Sequence, residues 1–397
     1  MPESGPGRPG RGVLVRESIP LGGAIGLFGL TAAALSPTLS LFLADAVHAG
    51  SFLIGLFFTA YAAADIVAGL VTGWLSDRMR DRRVLIGLVS LIGAVCLLCL
   101  ALLRDYAVLL VAFMFSSIGG AGAPGQLFAY ANEFATARGR DVTAYSSLMR
   151  SVISGAYVVG GPLGLILMAR YGFGPLYLGI AVISLATAVI GRWGLYPVPR
   201  KAASQTAGAG SGRKRLRQAV RGARLPGRVW LLLGVVLALA TVSQMYSIDI
   251  SLHVTKNLGR SADLVGWMVG LTALVEIPVM IAAGRAARRL GRGRLVGASA
   301  VLAVVSYCLM AMASAPVALL GVAALTGVWQ GVALSIPMVM VQQETPSGVG
   351  VSSSIYGAAF SAAGLIAGAV TGGTAALVGY GGVLWVCAAL SAVGALG

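Results

Sequence analysis

The chain has 397 residues, of which 57% are hydrophobic and only 11% are charged. Soluble globular proteins carry about 25% charged residues, so this composition excludes an ordinary water-soluble fold. The net charge of +16 would suggest a nucleic-acid partner for a soluble protein. In a membrane protein, the placement of the basic residues in the loops has to be considered first, and we expect no nucleic-acid partner.

Twelve apolar segments long enough to cross a bilayer follow one another along the chain, and we expect each to form a transmembrane helix. They are predicted at 21–44, 52–75, 84–103, 107–131, 146–169, 175–193, 229–254, 264–284, 295–313, 317–341, 352–376 and 383–397. The last segment has 15 residues, which is short for a span. The sequence therefore predicts an all-α polytopic membrane protein.

The basic residues divide the predicted loops into two classes. Arginine and lysine are abundant in the tail, in the central loop and in every second short loop, whereas the remaining loops hold few. Those few are Arg104, Arg170, Lys256 and Arg260. The positive-inside rule then places both termini in the cytoplasm of a cell in whose inner membrane the protein lies.

This distribution also suggests the domain organisation. We expect a cytoplasmic tail over 1–20, a six-helix bundle over 21–193, a basic linker over 194–228 and a second six-helix bundle over 229–397. The glycine, alanine and serine content of the linker is typical of a flexible connection, and its charge suits contact with anionic lipid headgroups.

The cysteines and histidines show no spacing typical of a metal site, and we predict neither a metal nor a cofactor. The four cysteines lie within apolar segments, where packing is the favoured interpretation. They are Cys96, Cys99, Cys308 and Cys387. His48 and His253 fall near the outer ends of the first and seventh predicted helices. We interpret each as a solvated loop histidine, with an outer pH sensor as the alternative.

A shift of 211 residues brings the two halves of the sequence into register. Leu53-Ile54-Gly55 aligns with Leu264-Val265-Gly266, and Ser36 aligns with Ser247. The matches fall on the same helix of each half. Such a repeat is typical of transporters in which two parallel halves enclose a substrate path.

Three carboxylates lie within predicted spans, where an ionised side chain costs about 2.5–3.5 kcal/mol. Asp65 in the second helix aligns with Glu276 in the eighth, and Asp249 lies in the seventh. Asp65 is eight residues before Gly73, hence about 12 Å from the inner helix end and near the midplane. We predict Glu276, Asp249 and Asp65 as proton-coupling residues. The alternative is that hydrogen bonds or ion pairs fix them in structural roles.

Two motifs resemble the major facilitator superfamily. The first is Gly73-Trp74-Leu75-Ser76-Asp77-Arg78, followed by Arg82 and Arg83. The second, in the fifth helix, runs from Gly155 to Gly161-Pro162-Leu163-Gly164 and resembles a motif of antiporters in that superfamily. The family has glycine where this chain has Arg80, and the second copy of the first motif has Arg288 in place of the acid.

The resemblance implies the major facilitator fold, with twelve helices in two pseudo-symmetric six-helix halves. It also implies that the matching residues of the two motifs have gating or structural roles. They are Gly73, Asp77, Arg78, Arg82, Gly161, Pro162 and Gly164. Glu133 and Asp141 flank the loop after the fourth helix. With Asp77 and the inner arginines they are candidates for a charge lock that holds the outward-open state, and ordinary solvated charges are the alternative.

Further stretches, in order along nearly the whole chain, resemble the bacterial sugar efflux transporter family. They include Ser36-Pro37-Thr38-Leu39, Ile54-Gly55-Leu56-Phe57, Gln126-Leu127-Phe128-Ala129 and Glu276-Ile277-Pro278. This resemblance implies export of small sugars or glycosides in exchange for protons. Asp65 is not part of the family pattern, so its predicted role depends on the internal repeat alone.

Sugar recognition needs hydrogen-bonding side chains and an apolar surface for the sugar ring. Residues of these kinds occur in the helices that we expect to line a central cavity, and we take them as candidate substrate-binding residues. They are Gln126, Tyr130, Arg150, Gln244, Tyr246, Trp267, Trp329 and Gln330. Packing or interface anchoring is the alternative for each, and for Arg150 it is a side chain that snorkels to the membrane surface.

We therefore expect a proton-coupled exporter of small sugars that alternates access around a central cavity and acts as a monomer. A proton-coupled multidrug or other small-molecule exporter is the main alternative. A non-transporting sensor on the same scaffold is another. An intramembrane enzyme is not expected, because the sequence has no recognisable nucleophile with its base, and the absence of a P-loop argues against ATP as the energy source.

Overall fold

A computed structural model describes residues 11–79, 81–198, 227–344 and 349–396. The first ten residues, Arg80 and most of the predicted basic linker lie outside these ranges. The tail predicted over 1–20 is therefore described only from Arg11 onward, where the first helix begins.

Six helices form the first half of the chain. They are α1 (Arg11–Asp45), α2 (Ser51–Arg78), α3 (Arg82–Leu102), α4 (Tyr106–Ala137), α5 (Val142–Tyr171) and α6 (Phe173–Val189). A π-helical turn, Ile190–Gly194, extends α6. The predicted spans differ from these helices mainly at their ends, because polar residues extend several helices beyond the apolar segments.

The second half is also helical in its described part. Its helices are α7 (Gly227–Leu252), α8 (Ala262–Leu290), α9 (Arg292–Met312), α10 (Pro316–Ala333), α11 (Ile336–Glu344) and α12 (Val349–Leu396). A π-helical turn, His253–Asn257, extends α7. Helices α10 and α11 are separated only by a short turn and together form one membrane-spanning segment, Pro316–Glu344.

The described residues contain eleven helical segments that are long and apolar enough to cross a membrane. The last, Ile355–Ala395, has 41 residues, about twice the length that one span requires. It is broken at Gly379, whose φ of 76° and ψ of 174° are not helical. The break at Gly379 divides it into two helical parts, which is consistent with the two spans that the sequence predicts there.

Three of the helices have an aspartate as their N-cap. Asp81, Asp105 and Asp141 each accept a 2.9 Å hydrogen bond from a backbone N–H in the first turn of α3, α4 and α5. Such N-caps satisfy backbone donors that have no partner within the helix. Hydrogen bonds from Arg83 lower the pKa of the Asp81 carboxyl, so this cap stays ionised.

The two halves meet along three helix pairs, which are α1 with α7, α2 with α12 and α5 with α8. Helices α2 and α12 approach so closely that a β-carbon on Gly55 would lie 2.5 Å from the carbonyl oxygen of Gly368. In the third pair, Pro162 of α5 packs against Gly266 and Gly270 of α8. Small residues allow this backbone approach in membranes, where packing rather than hydrophobicity joins helices.

These contacts lie toward one end of the bundle, which we call the joined end. There α1 ends at Asp45, α2 begins at Ser51 and the extension of α7 ends at Asn257. Ser51 donates a 3.1 Å hydrogen bond to the Tyr380 hydroxyl, and Lys256 forms an ion pair with Asp45, so polar contacts also bridge the halves there. The other end, which carries Arg78 and Arg82, we call the opposite end.

Candidate transport cavity

A cavity of about 470 Å³ lies between the two halves. Helices α1 to α6 of the first half line it together with α7 and α12 of the second. Its volume lies within the range of about 300–1,000 Å³ that is usual for small-molecule sites. Because both halves contribute walls, movement of one half against the other would change access to it.

The walls combine aromatic rings with uncharged polar groups. The aromatic residues are Phe28, Phe58, Tyr61, Phe113, Tyr157 and Phe360. The polar groups include the hydroxyls of Ser36, Ser116, Ser247 and Ser361 and the amide of Gln244. This combination offers an apolar surface and hydrogen-bonding partners to a ligand of small to moderate size.

Among the described residues that line the cavity, Asp65 is the only one with a charged side chain. Its Oδ1 atom is buried and accepts no hydrogen bond from the described part of the chain. A β-carbon added to Gly120 of α4 would lie 3.5 Å from Asp65 Oδ1 and 2.9 Å from the Tyr61 hydroxyl. The absence of a side chain at Gly120 therefore leaves room for these two groups beside the cavity.

Gln244 lines the cavity, but the other seven predicted substrate-binding residues do not. Two of them form hydrogen bonds within the first half. Gln126 accepts a 2.7 Å hydrogen bond from Arg82, and Tyr130 donates a 2.6 Å hydrogen bond to the Tyr196 carbonyl. Arg150 is exposed, with its guanidinium 5.8 Å from the ring centre of Phe128.

Three more of these residues lie in the core of the second half. The ring of Tyr307 packs edge-on against both Tyr246 and Trp329, with centroids 5.8 Å apart in each pair. Gln330 donates a 3.2 Å hydrogen bond to Ser243. Trp267, by contrast, is 63% exposed on the surface of α8. The structure thus gives Tyr246, Trp329 and Gln330 packing environments and places Trp267 on the outside.

The three predicted proton-coupling carboxylates are not brought together. Asp65 lines the cavity, whereas Asp249 is fully buried within the second half and close to Cys387 of α12. Glu276 is half-buried on α8, and its backbone packs against Gly327 and Gly331 of α10. Asp65 is therefore the member of the set that a ligand in the cavity would meet.

The first motif that resembles the superfamily forms a polar cluster at the opposite end. The Arg82 guanidinium donates to Glu133 Oε1 at 2.8 Å, to Gln126 and to the Ser76 hydroxyl. Arg78 lies 3.5 Å above the ring of Trp74, and a β-carbon on Gly73 would meet no atom within 4 Å. The Asp77 side chain lies outside what the structure describes.

The cluster around Arg82 joins α2, α3 and α4, all within the first half. Asp141, which we also considered for a charge lock, caps α5 instead. Glycines of the second motif lie where α5 packs against neighbouring helices. Gly161 lies against Val269 of α8, and Gly164 lies against Ala34 of α1.

One of the two histidines differs from the expectation. His48 is exposed, but His253 is only 1% exposed, so its interpretation as a solvated loop histidine is wrong. The reason is that helical structure continues past Leu252 through the π-helical turn, which keeps His253 in the packed bundle. Sequence reasoning also missed Tyr61 and Tyr157. Tyr61 precedes Asp65 by one helical turn, a spacing that could have identified it.

Comparison with known proteins agrees with this architecture. The profile of the Major Facilitator Superfamily matches residues 21–250 and 235–397. The chain is 33% identical over 360 residues to sugar efflux transporter B of Salmonella typhimurium, covering 90% of this chain and 89% of that protein. It is 31% identical over 369 residues to sugar efflux transporter A of Escherichia coli, covering 92% and 91%.

Solved structures share the fold at much lower sequence identity. The nucleoside transporter NupG superposes with a TM-score of 0.80 at 14% identity, over 96% of this chain and 97% of that chain. The POT family transporter PepTSo superposes with a TM-score of 0.76 at 12% identity, over 96% of each chain. At these identities the likeness is one of fold.

Proposed function

The chain belongs to the major facilitator superfamily and is a multi-span membrane transporter, and we propose that it exports small sugars or glycosides in exchange for protons. The observation that carries this proposal is the cavity between the halves, with Asp65 in its wall. The names of the relatives support the substrate class, and their similarity extends over most of the chain.

The cavity wall suits a sugar in two respects. The rings of Phe58, Tyr61 and Tyr157 offer apolar surface to the C–H face of a pyranose. The hydroxyls and the Gln244 amide can donate to or accept from sugar hydroxyls. Polar groups that a ligand covers are costly when left unpaired, so these groups favour a ligand that forms hydrogen bonds with them.

Asp65 gives the cavity a group that can exchange a proton. An ionised carboxylate accepts hydrogen bonds from sugar hydroxyls, and ionisation without a partner in an apolar environment is costly. Sugar binding would therefore favour loss of the proton from Asp65, and proton binding would favour loss of the sugar. This competition is the basis of antiport in our proposal, and Glu276 and Asp249 would affect it only through helix packing or a separate site.

We further propose that the joined end faces the outside and the opposite end faces the cytoplasm of the cell. Basic residues are concentrated at the opposite end, as the positive-inside rule requires of a cytoplasmic face. They include Arg78, Arg82, Arg83, Arg138, Arg140, Arg285, Arg288, Arg289 and Arg292. In this orientation both termini are cytoplasmic and the joined end is an outer closure that must separate for export.

The aromatic lining, with Asp65 as its one carboxylate among the described residues, also suits a lipophilic cation. A multidrug exporter is therefore the second candidate, and it uses the same cavity and the same Asp65. It differs in substrate, because lipophilic cations need no hydroxyl partners.

The test is transport by purified protein in liposomes with an imposed proton gradient. Labelled mono- and disaccharides and a labelled lipophilic cation are the substrates, and Asp65→Asn is compared with wild type. Asp263→Asn is the matched control, because Asp263 is an exposed carboxylate at the joined end. We expect gradient-driven sugar movement that Asp65→Asn loses while sugar exchange without a gradient persists.

Movement of the cation but of no sugar would replace the sugar proposal with the multidrug one. Equal gradient-driven sugar movement by wild type and Asp65→Asn would instead contradict the assignment of the proton to Asp65. The Asp263→Asn variant should behave as wild type in every assay.

A further inference from the structure

A line of three polar residues runs along α7 and its π-helical extension, away from the transport cavity. Asp249, His253 and Asn257 are spaced four residues apart, so they are neighbours on the helix surface. Asp249 is 0% exposed and His253 is 1% exposed, whereas Asn257 is exposed at the joined end. The line therefore connects a buried carboxyl group to the aqueous boundary, over about 12 Å of helix.

The buried members of this line have unused hydrogen-bonding atoms. Both carboxyl oxygens of Asp249 and Nε2 of His253 have no partner within the described ranges. The other imidazole nitrogen, Nδ1, lies 3.4 Å from Nδ2 of Asn257. The imidazole thus has one nitrogen beside the exposed residue and a second, unpaired nitrogen inside the protein.

Helix α12 leaves space beside this line. A β-carbon on Gly381 would lie 3.7 Å from Cε1 of His253 and 3.3 Å from Nδ2 of Asn257, so no side chain from that position covers the imidazole. A single water molecule can join polar groups that are too far apart for a direct hydrogen bond.

Among the residues that the structure describes, few other titratable or charged groups face this line. Cys387 of α12 is near enough to Asp249 for an electrostatic interaction, and Tyr307 of α9 lies near Cys387. At the joined end Lys256 pairs with Asp45 of α1, and both are partly exposed. In the part of the chain that the structure describes, Asp249 forms no ion pair. A buried carboxyl group without a cation to neutralise it holds a proton at lower cost than it holds a charge.

We propose that Asp249 is a second proton-binding site, which exchanges protons with the joined end through His253. A hydronium ion at the joined end gives a proton to the imidazole nitrogen that faces Asn257 and becomes water, and the imidazole releases the proton of its other nitrogen to a carboxylate oxygen of Asp249. The imidazole returns to its neutral form as the opposite tautomer, and the net change is one O–H bond broken at the aqueous donor and one formed at Asp249. The existence of this site depends on the geometry of α7 alone. Its use in transport rests on the proposed proton-coupled function.

Infrared spectroscopy of the purified protein tests the site without sugar or gradient. The infrared difference spectrum between wild type and Asp249→Asn should show the carbonyl band of one protonated carboxylic acid. After transfer to D2O this band should shift as its proton is replaced. In His253→Phe and His253→Gln the exchange should slow by about a hundredfold, the contribution that a positioned acid–base group typically makes to proton transfer.

His48→Gln is the matched control, because His48 is the other histidine of the chain and is exposed. Exchange in this variant, and in Asp65→Asn at the cavity, should equal that in wild type. The proposal is overturned if the difference spectrum between wild type and Asp249→Asn shows no carboxylic acid band. It is also overturned if the proton of this acid exchanges equally fast in wild type and in a folded His253 variant. His253→Gln answers the question if His253→Phe does not fold. A wild type that moves no sugar would contradict the proposed function and leave this result unchanged.

Discussion

The side-chain oxygens of Ser36 and Ser247 lie 3.3 Å apart across the interface between the two halves. The internal repeat aligns these two serines with each other. Equivalent residues of two related units touch only near the axis that relates them, so this pair marks the pseudo-two-fold axis. Both serines also line the cavity, and one turn farther along α7 Ser251 donates a 2.9 Å hydrogen bond to the Pro37 carbonyl.

A pair of cysteines at these positions should lock the halves together. With the hydroxyl oxygens at 3.3 Å, the sulfurs of Ser36→Cys and Ser247→Cys come close enough for a disulfide after a small adjustment. We expect oxidation to cross-link the double variant and to stop transport, and reduction to restore it. Mass spectrometry of the linked peptides and transport in liposomes are the measurements.

Each single variant is the control, since it adds one thiol to the four free cysteines of the chain without a partner on the other half. Full transport activity in an oxidised and completely cross-linked double variant would show that the halves need not separate here.

The ion pair between Arg82 and Glu133 should stabilise the first half. The Arg82 side chain is 14% exposed and hydrogen bonds to charged groups contribute about 1.5–3 kcal/mol, so we expect Glu133→Gln to lower the free energy of unfolding by that order. Arg82→Ala should cost more, because it leaves Glu133, Gln126 and Ser76 without this partner. Thermal unfolding in detergent is the measurement. Arg289→Ala, at an exposed arginine of the same end, should change the midpoint little.

Trp329 and Trp267 should respond differently to removal of the ring. Trp329 is fully buried, and deletion of a buried aromatic side chain typically costs about 3–5 kcal/mol. We therefore expect Trp329→Ala to unfold at a much lower temperature. Trp267→Ala, at a 63% exposed site, should change stability by about 0.5 kcal/mol or less and should leave the KM for substrate unchanged. A large rise in KM for Trp267→Ala would place that residue in the substrate path.

The sequence predicted the helical type of the elements well, because a bilayer imposes one helix length on every span, and the eleven spanning segments of the described residues are consistent with the twelve predicted. The break between the last two predicted spans falls at Gly379, within the 376–383 gap left between them. The repeat also predicted the Ser36 and Ser247 equivalence that the structure places on an axis.

The walls of the cavity could not be predicted in the same way. Membrane helices are apolar on all sides, so a helix such as α10 gives no polar stripe to show which face Trp329 and Gln330 occupy. Each residue turns a side chain by about 100° around the helix, so Gln244 and Tyr246, two residues apart, lie on opposite faces, one in the cavity and the other in the core. A polar residue in a helix that lines the cavity therefore does not by itself predict that its side chain lines the cavity.

The space beside Asp65 should be sensitive to a single methyl group. A β-carbon at Gly120 would lie 2.9 Å from the Tyr61 hydroxyl and 3.5 Å from Asp65 Oδ1, so Gly120→Ala should displace the tyrosine and weaken substrate binding. We expect a higher KM for sugar with normal expression. Gly125→Ala is the matched control on α4, because a β-carbon there would meet nothing within 4 Å. An unchanged KM for Gly120→Ala would exclude Tyr61 and Asp65 from the binding site.

Competition between sugar and proton at Asp65 is the central claim, and proton release on sugar binding tests it most directly. A sugar that the wild type transports is added to purified protein in weakly buffered detergent solution, and a pH indicator reports released protons. We predict release from wild type, from Glu276→Gln and from Asp249→Asn, and none from Asp65→Asn, although all four bind the sugar. Sugar binding to wild type without proton release, or equal release from Asp65→Asn, would contradict the account.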